Sequence, residues 1–121
     1  MTSLKLTAFE AETLLRGAVI FKFEGDESAD TFAGSPFSAG SLKSLLASIV
    51  ATHTEEGRPG RAEAWRETYR LAGNISRWEW VAKRTTSHPR WNSLTESEKR
   101  AWTEVLAAPY RLEDGDHERL C

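Results

Sequence analysis

The feature that constrains the fold most is a run of aliphatic side chains spaced for a helix. Leucine, isoleucine and valine recur at i, i+3, i+4, i+7 and i+8 between Leu42 and Val50. This spacing places them on one face of an α-helix, whereas the side chains of a strand alternate between two faces. The chain must therefore contain a helix near residues 41–55 that buries one side against other elements.

Similar patterns, with capping residues at their starts, predict further helices. Thr7 and Glu10 have the spacing of a capping box, and before the last helix both Ser93 with Glu96 and Thr95 with Glu98 have it. Gly17 stands where a left-handed residue would end the first of these helices. We therefore expect helices over about residues 8–16, 41–55, 61–72, 75–86 and 94–108.

Two segments near the start have the composition of β-strands. Leu4 and Leu6 alternate with polar neighbours, and residues 18–24 combine β-branched and aromatic side chains. Strands at 3–6 and 18–24 would form a two-stranded element, which is stable only when helices or a second chain pack against it. The fold class expected is α+β, and the exposed strand edge allows a homodimer through β-pairing.

The chain has 121 residues, which suits one domain with one hydrophobic core. We expect residues 1–112 to form this domain and residues 113–121 to form a polar, flexible tail. The single cysteine, Cys121, cannot form an internal disulfide. No secretory signal or bilayer-spanning run is visible, so a cytoplasmic location without membrane contact is expected.

Sequence motifs for catalysis, metal binding or phosphate binding are not found. The three histidines are far apart in sequence, and none has a second ligand at the spacing of a metal site. No glycine-rich phosphate loop and no nucleophile elbow occur. We therefore predict a protein with no enzymatic activity, no cofactor and no metal.

Tryptophans and charges are distributed unevenly along the chain. All five tryptophans lie between Trp65 and Trp102. Residues 57–100 hold ten Lys or Arg against five acids, whereas residues 1–56 hold four against eight and residues 101–121 hold two against five. A basic, tryptophan-rich middle between acidic ends is typical of a chain that uses its surface for binding.

Binding to a protein partner is the first interpretation of this distribution. Trp80 cannot share a buried helix face with Trp78, because neighbours two apart differ by about 200°, and arginine and tryptophan are frequent interface anchors. We predict a small inhibitor or accessory protein, similar in kind to antitoxins, immunity proteins or phage accessory proteins, that occupies a partner's surface. The predicted contacts are Trp80, Trp91, Arg84 and Arg90, with the acidic residues Asp26, Glu27 and Asp30 as a second contact.

Binding to nucleic acid is the second interpretation. The basic residues between 58 and 90 would contact phosphates while aromatic rings stack on bases. Against it, the formal net charge is −2, and glutamates are interleaved with the arginines on the predicted helices. The two interpretations differ in the salt dependence of binding, which is steep only for phosphate contacts.

Overall fold

The computed structural model of the chain describes residues 6–120, and this part of the chain is helical. Short 3-10 turns at Glu27–Ala29, Leu71–Gly73 and Trp91–Ser93 precede the second, fifth and sixth α-helices. The α-helices are α1 (Ala8–Glu24), α2 (Asp30–Ala33), α3 (Pro36–Glu55), α4 (Pro59–Thr68), α5 (Ile75–Thr85), α6 (Glu96–Ala107) and α7 (Asp116–Leu120).

The expected α+β class is wrong, because residues 18–24 belong to α1. Ala11, Leu15, Val19 and Phe23 are buried at steps of four residues, so burial of this stripe outweighs the strand propensity of the local sequence. The helix runs through Gly17, although an interior glycine costs roughly 1 kcal/mol relative to alanine. The strand predicted at 3–6 lies outside the described residues except for its last position. Residues 6–120 contain no strand, so the proposed β-pairing of two copies loses its basis.

Most of the other helix predictions are confirmed. Both capping boxes form, with Thr7 and Thr95 each accepting a hydrogen bond from a backbone N–H three residues later. The helices expected near 75–86 and 94–108 are α5 and α6. The helix expected over 61–72 is α4, but it ends at Thr68, and Leu71–Gly73 forms a separate 3-10 turn. The helix expected from residue 41 begins earlier, because Ser35 caps it and Pro36 fits its first turn.

The core lies around α3. Helices α1 and α4 pack on α3, α6 touches it, and α5 packs on α6 and α7. The largest fully buried aliphatic side chains come from α1, α3, the turn before α5 and α5, and they belong to one core cluster. They include Leu15, Leu42, Ile49, Leu71 and Val81.

A chain of aromatic rings extends this core. Phe23 lies 4.5 Å from the ring of Trp80 and 5.4 Å from that of Tyr110. Tyr69 continues the chain, 5.1 Å from Tyr110 and 5.9 Å from Trp65. These edge-to-face and stacked pairs join α1, α4 and α5 to the segment after α6.

A buried polar chain connects α1, α3 and α4. The Nε2 atom of His53 lies 2.8 Å from Oε2 of Glu12, and Nε of Arg58 donates to Nδ1 of His53 at 3.0 Å. Because the Arg58 N–H can only donate, Nδ1 must accept. His53 is therefore neutral, with its proton on Nε2 and donated to Glu12.

A buried lysine joins α1 to the end of α6. Nζ of Lys22 donates to the carbonyl oxygens of Val105 at 2.8 Å and Ala108 at 2.7 Å. Burial, followed by the nearby positive charge of Lys43, lowers the pKa of Lys22 to about 7. The amine satisfies carbonyls that the helix itself leaves without a donor.

The segment expected to be a flexible tail is packed against the domain as far as residue 120. It contains α7, where Leu120 is buried in the core and Asp116 is buried. Asp116 accepts a hydrogen bond from the N–H of Glu113 at 2.7 Å, and the guanidinium of Arg119 lies 5.0 Å from the ring of Trp78. Residue 121 lies outside the described range.

None of the described helices combines the length and the apolar composition that crossing a membrane requires.

Candidate functional site

Trp80 and Arg84, two of the predicted anchors, contact each other. Trp80 is half-buried, with Phe23 packed against its ring. The guanidinium of Arg84 lies 4.0 Å from the centroid of the same indole, and its Nη1 donates to the Trp80 carbonyl at 3.3 Å. Trp80 therefore supports the core from one side and holds Arg84 in place on the other.

Arg90 and Trp91 have other partners. The N–H of Arg90 donates to Nδ1 of His88 at 3.0 Å, and Nζ of Lys99 lies 5.0 Å from the Trp91 ring. Within residues 6–120, no hydrogen bond, ion pair or ring contact joins either residue to Trp80. Of the four predicted anchors, direct contact is therefore shown only for Trp80 with Arg84.

The three predicted acidic contacts are exposed. Asp26 accepts hydrogen bonds from the hydroxyl of Ser28 at 2.6 Å and from its N–H at 2.9 Å, and these bonds lower the pKa of Asp26. Asp30 lines a small cleft of about 280 Å³ together with Arg84. The structure thus brings Asp30 and Arg84 to one site, while Asp26 and Glu27 stay in the turn before α2.

The basic stretch between residues 58 and 90 is largely neutralised. Most of its arginines form ion pairs with carboxylates, which reduces the positive potential available to phosphates. The pairs are Arg58 with Glu56, Arg61 with Glu12, Arg66 with Glu63, Arg70 with Glu67 and Glu113, and Arg77 with Glu24.

Large apolar side chains are exposed along α1 and at the start of α3. Since α1 buries the stripe that contains Leu15, its other side faces solvent. Phe9 is 68% exposed and Phe37 is 86% exposed. We call this set the apolar face, and it comprises Leu6, Phe9, Leu14, Ile20, Phe21 and Phe37.

A groove of about 670 Å³ lies between α1 and the first half of α3. Leu6, Leu14 and Phe37 of the apolar face line it. On α3, the small residues Gly40 and Ser44 also line it. None of the ten residues that line this α1–α3 groove is charged, although 28% of the chain's residues are. An uncharged, partly aromatic surface of this kind is typical of the centre of a protein interface.

The exposed charges of residues 6–50, the part of the chain that holds the apolar face, are mostly acidic. Between residues 6 and 50, five acids and two basic side chains are exposed. One of the two basic side chains is Arg16, whose guanidinium lies 4.9 Å from the ring of Trp65. The other is Lys43. The acids are Glu10, Glu24, Asp26, Glu27 and Asp30.

A second groove, of about 740 Å³, runs between α3 and residues 109–112. Lysine, arginine and glutamate all contribute to its walls. Its aromatic floor consists of Tyr69 and Tyr110, which are buried parts of the core. This groove therefore leaves no large aromatic side chain available to a partner, in contrast to the apolar face.

The described residues do not assemble a metal-binding cluster. Across residues 6–120, no group of three or more His, Cys, Asp or Glu side chains is arranged to hold a metal ion. The Glu12–His53 pair has the composition of an acid–base dyad, but His53 has no exposed surface, and both of its ring nitrogens are hydrogen-bonded within the chain.

Comparison of the chain with protein-family models, with curated proteins and with solved structures found no match.

The sequence analysis did not identify the apolar face. A short helix that ends at Gly17 would place Phe9 and Leu14 on its buried stripe, and a loop before residue 41 would place Phe37 against the core. When the helical period is extended past Gly17 to Phe23, the buried stripe contains Leu15 and Phe23. Phe9 and Leu14 then lie outside it. The exposure of Phe37 has no comparable signal in the local sequence.

Proposed function

We propose that this chain is a non-enzymatic protein-binding domain that occupies the surface of a partner through its apolar face. The uncharged α1–α3 groove, bordered by the exposed side chains of Leu14 and Phe37, carries this proposal. Soluble monomers seldom leave large apolar side chains grouped in solvent unless a partner covers them. Depletion of charge at the centre of the groove matches the composition of interface cores.

The biological role proposed is that of a small inhibitor or accessory protein in the cytoplasm. Such a protein acts by steric occupation, so it needs a complementary surface and no reactive group. Trp80 with Arg84 and Trp91 with Arg90 remain proposed secondary contacts. Because Arg84 and Lys99 already cover the two rings from within the chain, we expect them to contribute less than the apolar face.

Nucleic-acid binding is not favoured by any particular observation. The ion pairs along α4 and α5 place carboxylates beside the arginines that would contact phosphates. The uncharged groove offers a polyanion nothing to bind. A gel-shift assay with mixed DNA and RNA is expected to show no complex at physiological salt.

Site-specific photocrosslinking in an extract of the source organism tests the proposal. A photoreactive amino acid replaces Phe37 or Leu14 in two variants, and it replaces Ile75 in a matched control. Ile75 is 78% exposed on α5, so it is apolar and accessible but outside the apolar face. We expect adducts of one defined mass from positions 37 and 14, and none of that mass from position 75.

Two results would contradict the proposal. Equal adducts from all three positions would show non-specific contact, and no adduct from positions 37 and 14 would show that the face is unoccupied. An adduct of twice the chain's mass would show that the apolar face binds a second copy of the chain. Self-association would then be the function of this face, in place of binding to a different protein. Adding Leu14→Asp to the variant that crosslinks from position 37 should remove the adduct.

A further inference from the structure

We infer that the partner element in the α1–α3 groove is a single α-helix with an apolar face and positively charged flanks. This inference rests on the proposed function and specifies the chemistry of the partner. Three features of the described residues support it: two glycines without a role in the chain's own packing, the helical walls of the groove, and the sign of the exposed charge in residues 6–50.

The two glycines lie inside helices on the outer side of the domain. Gly17 is in α1, one turn after Leu14, and Gly40 lines the groove from α3. A Cβ atom at either position would meet no atom within 4 Å, so the chain itself does not require glycine there. An interior glycine weakens a helix relative to alanine. The absent side chains therefore leave room for the close approach of another backbone.

The α3 side of the groove has the surface that a packed helix needs. Gly40, Ser44 and Ser48 follow one another at intervals of four residues and all line the groove. Residues at this spacing form one row along a helix, so three small residues make a shallow channel between larger neighbours. The lining residues Phe37 to Ser48 span about 17 Å along α3, which corresponds to about three turns of a partner helix.

A partner helix forms its own backbone hydrogen bonds, which suits a groove that offers few free backbone groups. Both walls are mainly helical, and the amide and carbonyl groups of the helix interiors are engaged in intrahelical hydrogen bonds; only Leu6 and the first turn of α3 lie outside this pattern. An extended peptide lying in the groove would leave its backbone polar groups without partners. Recognition of an amphipathic helix by a hydrophobic groove has no such cost, because only side chains meet.

The charge around the groove selects a basic partner. Glu10 is exposed one turn before Leu14 on α1, and Asp26 and Glu27 are exposed just after the end of that helix. A second copy of the chain would bring the same acids opposite one another, which is unfavourable. Lysine or arginine beside the apolar residues of a partner helix would instead complement them.

Designed peptides test the inference without knowledge of the natural partner. The probe is a fluorescein-labelled 16-residue peptide with leucines at helical spacing and lysines on the flanks. One control has the same composition with the leucine period destroyed, and a second has glutamate in place of each lysine. Fluorescence anisotropy gives the dissociation constants, and amide chemical shifts of the labelled domain locate the site.

We expect the lysine peptide to bind at least tenfold more tightly than either control. Gly40→Leu should weaken its binding at least tenfold, because the leucine fills the channel. Gly60→Leu is the matched control, since Gly60 lies in α4 with equally free space around it, and it should change binding less than twofold. Circular dichroism establishes that both variants fold.

Failure of the inference is distinguishable from failure of the proposed function. If position 37 crosslinks to a partner but the lysine peptide does not bind, or Gly40→Leu leaves its binding unchanged, the helix assignment is wrong and the docking face stands. If the glutamate peptide binds equally well, the charge assignment is wrong. If the crosslinking experiment fails, the proposed function is lost whatever the peptides do.

Discussion

Raising the pH from 7 to 10 should stabilise this fold through Lys22. The pKa of Lys22 is about 7 in the folded chain, against 10.5 for an ordinary lysine. Between these values the unfolded chain holds a proton that the folded chain has released, so the free energy of unfolding rises with pH. Below pH 7 both states are protonated and the cost of burying the charge is fully present. Above pH 10.5 both are neutral and the cost is gone.

The size of the effect follows from the difference in pKa. One pKa unit corresponds to about 1.4 kcal/mol, so the full difference for Lys22 amounts to about 5 kcal/mol. The folded amine is already half deprotonated at pH 7, and the unfolded amine is still mostly protonated at pH 10. We therefore expect about 3–4 kcal/mol of this gain between pH 7 and pH 10.

Urea denaturation followed by tryptophan fluorescence at pH 6, 7, 8, 9 and 10 measures this gain. Lys22→Met is the matched variant, because methionine keeps the apolar stem of the side chain and removes the titrating amine. The free energy of unfolding of the wild type should rise relative to that of the variant between pH 7 and pH 10. If the two profiles stay parallel, Lys22 does not titrate in this range and the account of its burial is wrong.

Further predictions concern the glycines, the core and the buried polar chain. Gly17→Ala and Gly40→Ala should each raise the free energy of unfolding by about 0.5–1 kcal/mol, and a lower melting temperature would show that the added methyl group is not free. Ile49→Ala should lower the free energy of unfolding by about 3 kcal/mol. Phe37→Ser should change it by less than about 0.5 kcal/mol. Equal losses for the two variants in chemical denaturation would contradict the assigned burial. His53→Ala should cost about 3 kcal/mol by leaving a buried carboxylate without its donor, and an unchanged denaturation midpoint would show that this bond is not needed.

The sequence predicts helices well where apolar spacing and a capping residue agree. The Leu42–Val50 run and the capping box at Thr95 each combine signals that lie within a few residues of each other. The strand prediction for residues 18–24 is wrong because their β-branched and aromatic side chains favour a strand locally. Only the packing of α1 on α3 buries the stripe that contains Val19 and so selects the helix.

The site was less predictable than the helices, because exposure depends on the whole fold. The sequence separates Trp80 from Trp78 on the helix surface, but it cannot reveal that Phe23, far away in the chain, covers one side of the Trp80 ring. The orientation of Phe37 depends in the same way on where α1 lies. Local patterns therefore give the positions of helices, and tertiary contacts decide which side chains are left for a partner.

The aromatic chain also determines when the protein can fold during its synthesis. Phe23 meets Tyr110, so two rings that pack against each other in this chain are translated far apart in time. A ribosome adds about 5–20 residues per second, and Tyr110 must leave the exit tunnel before the rings can close. Until then the nascent α1 segment has both its apolar sides open to water. A truncated transcript that ends before Tyr110 should therefore yield a product that chaperones retain or proteases remove.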